Sequence, residues 1–221
     1  KFFFFPNVIT LSIWGFNSLA LGKVVWICSY FISELQEGIG ETGVLPSIIG
    51  EIGTIDPVTD QEWKVLEGAA KAAKTTGASI SVHLDPTGQY QALEILECLV
   101  THGASPDRII FGHVDEILML ENHRAVMDAG ATIEYDLFGM EFYYPGRNNY
   151  VTDYERMETI ATFVNEGRAD QIVLACDVHC KMMLSAYGGM GYSHLVERIV
   201  PMLSDSFGLS KDLVNQMLVK N

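Results

Sequence analysis

Four side chains of the kinds that bind metal ions stand at the ends of short apolar stretches spread along the chain. They are Glu51 in SIIGEIG, His83 at the end of SISVH, His113 at the end of RIIFGH, and Asp177 at the end of QIVLACD. Imidazole and carboxylate groups are the usual protein ligands of zinc and similar divalent cations. If the stretches are parallel strands of a barrel, their carboxyl ends share one face and these side chains converge there. The pattern therefore predicts a metal site.

Each of these residues also has a simpler interpretation when taken alone. A single histidine at a strand end is more often a hydrogen-bonded core or loop residue, and a single aspartate is commonly a helix cap. Glu51 is harder to explain in this way, because an unpaired carboxylate within an apolar stretch is costly to bury. Two histidines and two carboxylates at successive strand ends together favour the metal site.

The elements that must position these residues follow a regular alternation from Ser47 onward. Short stretches rich in Ile and Val predict strands at residues 48–52, 79–83, 108–113, 131–136 and 171–177. Amphipathic stretches between and after them predict helices near residues 60–76, 89–102, 116–129, 153–167, 192–204 and 210–219. Thr59 and Glu62 have the spacing of a capping box, and Gly77 is suited to end the helix that they begin.

Repeated strand–helix units predict an α/β fold, a (β/α)8 TIM barrel in preference to an open sheet. A complete barrel needs roughly 250 residues, and this chain has 221. With five predicted strands, we therefore expect an incomplete barrel that lacks three of the eight strands.

Composition excludes several classes of protein. With 14 basic and 28 acidic side chains, the formal charge is −14 and the pI about 4.7. This acidic balance argues against a nucleic-acid partner and against an anionic membrane surface as partner. The four cysteines contain no CxxC pair, so we interpret them as reduced thiols and expect a cytoplasmic protein. The expected partner is a small-molecule substrate.

Residues 1–32 differ in composition and charge from the expected barrel domain, residues 33–221. They contain two lysines and no acid, and residues 2–22 are free of charge over a length that could span a bilayer. Pro6, Asn7 and several glycines and serines interrupt this run, which is unfavourable for a membrane helix. Three interpretations remain open: a fragment or an artefact of the gene model, a buried β/α element, or a membrane anchor.

The ordered motifs GETGVLPSIIGEIGT, SVHLDPTG, PDRIIFGHVDE, IEYDLFG, VLACDVHCK and YGGMGYSHL resemble the phosphotriesterase family of the amidohydrolase superfamily. The similarity covers about residues 31–221 and is greatest to the branch of phosphotriesterase-related proteins, in which a glutamate within GEIG bridges the metals. It implies a hydrolase that uses a metal-activated hydroxide against an ester, lactone or amide bond.

The resemblance also implies that the strands present are strands four to eight of the barrel, and it implies roles for individual residues. Glu51 would bridge two divalent cations, expected to be zinc, His83 and His113 would hold the more exposed cation, and Asp177 would ligate the other and accept the proton as the catalytic base. A substrate pocket would be lined by residues at the same face, namely Asp115, Tyr135, Asp136, His179 and Tyr192. The alternatives are a helix cap for Asp115 and a packing role for Tyr135.

One family feature is absent from this sequence. Family members carry an HxH pair on the first strand, and none of the six histidines here precedes Glu51. We therefore also consider a catalytically impaired barrel remnant that binds one metal ion or none. Unpaired barrel edges would give such a chain a reason to associate with itself.

Overall fold

The structure, a computed structural model, describes residues 23–141 and 151–221. In the sheet the strands follow the order β1-β2-β3-β4-β5, and the pairs β1–β2 and β4–β5 are parallel. The strands are Ile48–Gly53 (β1), Ser79–His83 (β2), Ile109–Gly112 (β3), Thr132–Tyr135 (β4) and Ile172–Leu174 (β5). All five predicted strands are therefore confirmed, and β5 ends three residues before Asp177.

Helices connect and follow these strands. The α-helices are Val24–Glu37 (α1), Asp60–Thr76 (α2), Ala92–Thr101 (α3), Leu120–Asp128 (α4), Asp153–Asn165 (α5), Val200–Asp205 (α6) and Lys211–Asn215 (α7). Short 3-10 turns lie at Pro86–Gln91, Pro106–Arg108, Val114–Glu116, Ala169–Gln171, Lys181–Met183 and Ser185–Tyr187. Two π-helical turns, Leu195–Ile199 and Gln216–Lys220, complete the elements of the described residues.

The capping residues predicted for the two ends of helix α2 are confirmed. The Thr59 side chain accepts a hydrogen bond from the backbone amide of Glu62, and the Glu62 carboxylate accepts one from the amide of Thr59. Gly77 ends the helix in the left-handed conformation, with φ of +74° and ψ of 9°. These contacts satisfy backbone groups that a helix otherwise leaves unpaired at its ends.

The chain divides into two compact units, and each has its own core. Within the described residues, the first contains residues 23–111 and Asp128–Ala131, and in it α1 packs on α2. Its fully buried side chains include Ile27, Phe31 and Leu66. The second contains Gly112–Met127 and residues 132–141 and 151–221, and its apolar core includes Tyr135, Phe138 and Phe163.

Within the first unit, strand β1 departs from regular pairing beside Glu51. Ile49 is opposite Ile80 and Ile52 is opposite Val82, so two residues of β1, Gly50 and Glu51, face a single residue of β2. Gly50 has φ of +126°, and a Cβ built on it would lie 2.4 Å from the carbonyl oxygen of Ser81. This irregularity requires glycine at the position that precedes the predicted ligand.

No helix within the described residues is long and apolar enough to cross a membrane. Helix α1 begins at Val24 and ends at Glu37, so it continues through residue 32, where the charge distribution predicted a boundary. The three interpretations of residues 2–22 lie outside the described residues.

Candidate metal and active site

In the first unit, Glu51 and His83 lie side by side on neighbouring parallel strands. His83 Nδ1 is 3.4 Å from Glu51 Oε2, and each side chain is about 30% exposed. Thr54 fixes the backbone at the end of β2, because its amide and its hydroxyl both donate to the carbonyl oxygen of His83, at 3.0 and 2.9 Å. An imidazole and a carboxylate are thus held together at the strand ends.

In the second unit, His113 follows β3 in an uncommon backbone conformation. Its φ of +59° lies in the left-handed region, which costs a non-glycine residue about 1–2 kcal/mol. The ring is buried, and Nδ1 lies 3.1 and 3.0 Å from the two carboxylate oxygens of Asp136. Because Nδ1 contacts Asp136, a metal ion bound to this ring would be held by Nε2.

Asp136 is itself buried and lies beside His113. Burial raises the pKa of Asp136 to about 7, while the nearby His113 acts in the opposite direction. A carboxylate that contacts the second nitrogen of a ligating histidine sets the orientation and basicity of the ring. Sequence reasoning assigned Asp136 to a substrate pocket, and the structure places it against His113.

Glu51 and His83 of the first unit and His113 of the second each offer one ligand atom of a kind that binds metal ions. Two imidazoles and one carboxylate are a donor set that suits zinc and related divalent cations.

Asp177, the predicted base, has a histidine partner in the second unit. Its backbone amide donates to the carbonyl oxygen of Asp136 at 2.7 Å, which ties the segment after β5 to the segment after β4. Its Oδ2 lies 3.1 Å from His179 Nδ1, and both side chains are about 40% exposed. The carboxylate is therefore accessible and oriented by an imidazole.

Tyr135 and Tyr192, predicted to line a pocket, differ in exposure. Tyr192 is 55% exposed. Tyr135 is fully buried, and its hydroxyl lies 3.2 Å from His123 Nδ1. The packing role, which was the alternative for Tyr135, fits this burial, since a side chain without accessible surface does not line an open pocket.

Sequence reasoning missed a buried polar network in the second unit. Asp115 accepts from Arg156 Nε at 2.8 Å, and Arg156 Nη1 lies 3.2 Å from Asp153. Asp153 Oδ2 also contacts His194 Nε2 at 2.6 Å. Asp115 is thus one member of a network and not a simple helix cap. Asp153 and Arg156 lie in the first turns of a capped helix. The sequence pattern of that helix start does not indicate which side chains they contact.

Burial of His123 leads to a prediction about stability and pH. Burial lowers its pKa to about 4, whereas an unfolded histidine has a value near 6.5. Between these values only the unfolded state binds the proton, so the free energy of unfolding should fall as pH decreases from about 6.5 to 4, by about 3 kcal/mol in total. Chemical denaturation across this range should show a shallower slope for His123→Gln than for the unsubstituted protein. Equal slopes would mean that His123 does not contribute.

Parallel strands that alternate with helices and carry histidine and carboxylate side chains at their carboxyl ends are typical of metal-dependent barrel enzymes. The model of the Phosphotriesterase family matches residues 13–221. The chain belongs to this family. The match begins ahead of residue 31, where the recognised motifs start, and so extends into the apolar N-terminal segment.

Two similar curated proteins carry the same name. The N-acetyltaurine hydrolase of Dictyostelium discoideum is 38% identical over 198 residues, which cover 86% of this chain and 52% of that protein. The N-acetyltaurine hydrolase of Salmo salar is 35% identical over 195 residues, which cover 86% and 55%. The chain thus spans about half the length of the curated relatives that it matches.

Solved structures of similar proteins confirm the fold. The phosphotriesterase homology protein of Escherichia coli, complexed with phosphate in its active site, has a TM-score of 0.81 and 31% identity, over 91% of this chain and 67% of that one. A resiniferatoxin-binding protein from Rhodobacter sphaeroides has a TM-score of 0.86 and 29% identity, over 92% and 57%. The predicted (β/α)8 barrel is thereby confirmed, with five of its strands among the described residues.

Proposed function

We propose that this protein is a metal-dependent hydrolase that cleaves the amide bond of small N-acyl amino-acid-type substrates. The observation that carries the proposal is the pair of Glu51 and His83 on neighbouring parallel strands, with His83 Nδ1 at 3.4 Å from Glu51 Oε2. The names of the curated relatives support an amide substrate, and N-acetyltaurine is the compound to test first.

The donor set fits a divalent cation, and we propose zinc held by His83, His113 and Glu51. Bound there, the cation would polarise the scissile carbonyl group and make water more acidic. The protein fixes the ligands in advance: Thr54 holds the backbone of His83, and Asp136 holds the ring of His113. Ligands held in this way lose little freedom when the ion binds.

Asp177 is proposed as the group that accepts a proton from the attacking water and returns it to the leaving amine. Its carboxylate is accessible, and His179 Nδ1 at 3.1 Å from Oδ2 restricts its orientation. Such a positioned carboxylate is an effective general base and, once protonated, a general acid. Asp177 is also proposed as a ligand of a second metal ion, by its similarity to the family pattern.

Hydrolysis by the 221-residue chain with added zinc tests the proposal. We expect release of taurine from N-acetyltaurine, measured by mass spectrometry, and no release after removal of zinc by a chelator. His83→Ala should abolish the release, whereas His102→Ala, a substitution in the turn after α3, should not. Cleavage of lactones or phosphotriesters in place of the amide would overturn the substrate class.

Thermal unfolding of the same samples distinguishes a loss of metal binding from a loss of catalysis. A ligand that binds only the folded state at a concentration of 100 Kd stabilises it by about 2.7 kcal/mol, so zinc should raise Tm. The rise should disappear in His83→Ala and persist in His102→Ala. If zinc raises Tm in neither the unsubstituted chain nor the control, the remnant that binds no metal is the better description.

A further inference from the structure

The second unit contains one guanidinium group that is almost completely buried. The Arg156 side chain is 2% exposed, and it lies between two carboxylates, Asp115 at 2.8 Å and Asp153 at 3.2 Å. Asp115 is fully buried and Asp153 is 13% exposed. One arginine on helix α5 therefore joins a residue of the turn after β3 to the first residue of its own helix.

Both carboxylates also bind backbone amides of the segment that follows strand β4. Asp115 accepts from the amide of Asp136 at 3.3 Å and from that of Leu137 at 3.0 Å. Asp153 accepts from the amide of Gly139 at 2.9 Å. Through these two carboxylates, Arg156 fixes three of the four amides between residues 136 and 139.

This segment carries the carboxylate that contacts the predicted metal ligand His113. The distance of 3.0 Å between His113 Nδ1 and Asp136 Oδ2 depends on where the backbone at Asp136 lies. Asp115, bound to Arg156, is the side chain that holds that backbone.

We propose that Arg156 is a positioning residue for the metal site: through Asp115 it holds Asp136 against His113 and so fixes the orientation of the His113 ring. The metal part of this inference rests on the proposed function, since it assumes that His113 Nε2 binds the ion. The part that concerns the orientation of the ring does not depend on metal.

Stability alone is a weak reason for a buried arrangement of this kind. Removing charges from water costs several kcal/mol per ion, and a buried ion pair is often no more stabilising than apolar residues of the same volume. The arrangement does fix geometry, because the planar guanidinium presents several donors in a rigid fork. Lysine, a single flexible point charge, could reach one carboxylate but not hold both at their present angles.

The experiment compares Arg156→Met, Arg156→Lys and the control Arg124→Met. Arg124 is also an ion-paired arginine of the second unit, but its partners, Glu121 and Glu166, lie on the surface. Zinc affinity is measured by competition with a chromophoric chelator, and the His113 ring is observed by NMR of the metal-free protein, through its ring nitrogens. Circular dichroism confirms that each variant is folded.

Loss of a group that orients a metal ligand typically lowers affinity by about 10- to 100-fold. We expect such a loss in Arg156→Met, a smaller loss in Arg156→Lys, and a change of less than about 2-fold in Arg124→Met, whose ion pairs are exposed. The His113 resonance should shift or broaden in the two Arg156 variants and stay in place in the control.

The outcomes separate this inference from the proposed function. An unchanged His113 resonance in a folded Arg156 variant would overturn the positioning role, whatever the metal affinity. An unsubstituted chain that binds no zinc would overturn the proposed metal site, while the NMR comparison would still decide the positioning role. If Arg156→Met does not fold, the zinc affinity and the His113 resonance are both measured in Arg156→Lys.

Discussion

Replacement of Asp177 by asparagine should lower kcat for amide hydrolysis by about 10²- to 10⁴-fold, the usual contribution of a general acid or base. Asparagine has nearly the same shape as aspartate but cannot accept the proton. The contact with His179 involves Oδ2, so the side-chain amide can still approach the imidazole and the local fold should persist. Rates measured with N-acetyltaurine at saturating zinc give kcat and KM separately.

Asp170→Asn is the matched control for this substitution. Asp170 is an exposed acid in the turn before β5, so its replacement removes the same charge from the same unit. If Asp177→Asn and Asp170→Asn both retain full kcat, Asp177 is not the base. A fall in zinc affinity in Asp177→Asn, with kcat restored at higher zinc, would assign Asp177 a ligand role alone.

Much of the fold could be predicted because its signals are local. Each strand contains Ile or Val within a short, mostly apolar stretch. Helix α2 begins at a Thr–Glu capping box and ends at a glycine, and each of these signals lies within a few residues of the helix end that it marks. The placement of His83 and His113 at strand ends follows from the same runs. The resemblance to the family predicts catalytic and metal-binding roles that the spacing of the residues alone does not predict.

The first residue of a helix was less predictable where a 3-10 turn takes the place of the expected first helical turn. The helix expected from residue 116 begins at Leu120, because Val114–Glu116 forms a 3-10 turn after His113. The helix expected from residue 89 begins at Ala92, because Asp85 accepts from the amide of Thr87 and stabilises the turn Pro86–Gln91. Such turns depend on one or two hydrogen bonds that hydrophobic periodicity does not reveal.

The buried partners of polar side chains could not be predicted. Arg156 and Asp115 are 41 positions apart, and nothing in their local sequence indicates that they meet. The same holds for Tyr135 and His123. Contacts of this kind are fixed by packing around a core, whereas the sequence patterns report only which face of an element is apolar.

The irregularity beside Glu51 gives the largest expected effect on stability. In Gly50→Ala, a Cβ would lie 2.4 Å from the carbonyl oxygen of Ser81 and 3.1 Å from the amide nitrogen of Ile52. Both neighbours are backbone atoms, so neither can move without disturbing the pairing of β1 with β2. Strain at φ of +126° and the forced shift together should reduce the free energy of unfolding by about 3–5 kcal/mol. Denaturant titration of the folded chain measures this directly.

Gly77→Ala separates backbone strain from the collision with the neighbouring strand. Gly77 also has positive φ, +74°, but a Cβ there would have no atom within 4 Å. Gly77→Ala should therefore reduce the free energy of unfolding by only about 1–2 kcal/mol, the penalty of the left-handed conformation. Because Gly50 precedes Glu51, Gly50→Ala should also lower zinc affinity, whereas Gly77→Ala should leave it unchanged. Equal losses of stability in the two variants would show that β1 can shift to accept a side chain, and that the close approach to Ser81 does not hold Glu51 in place.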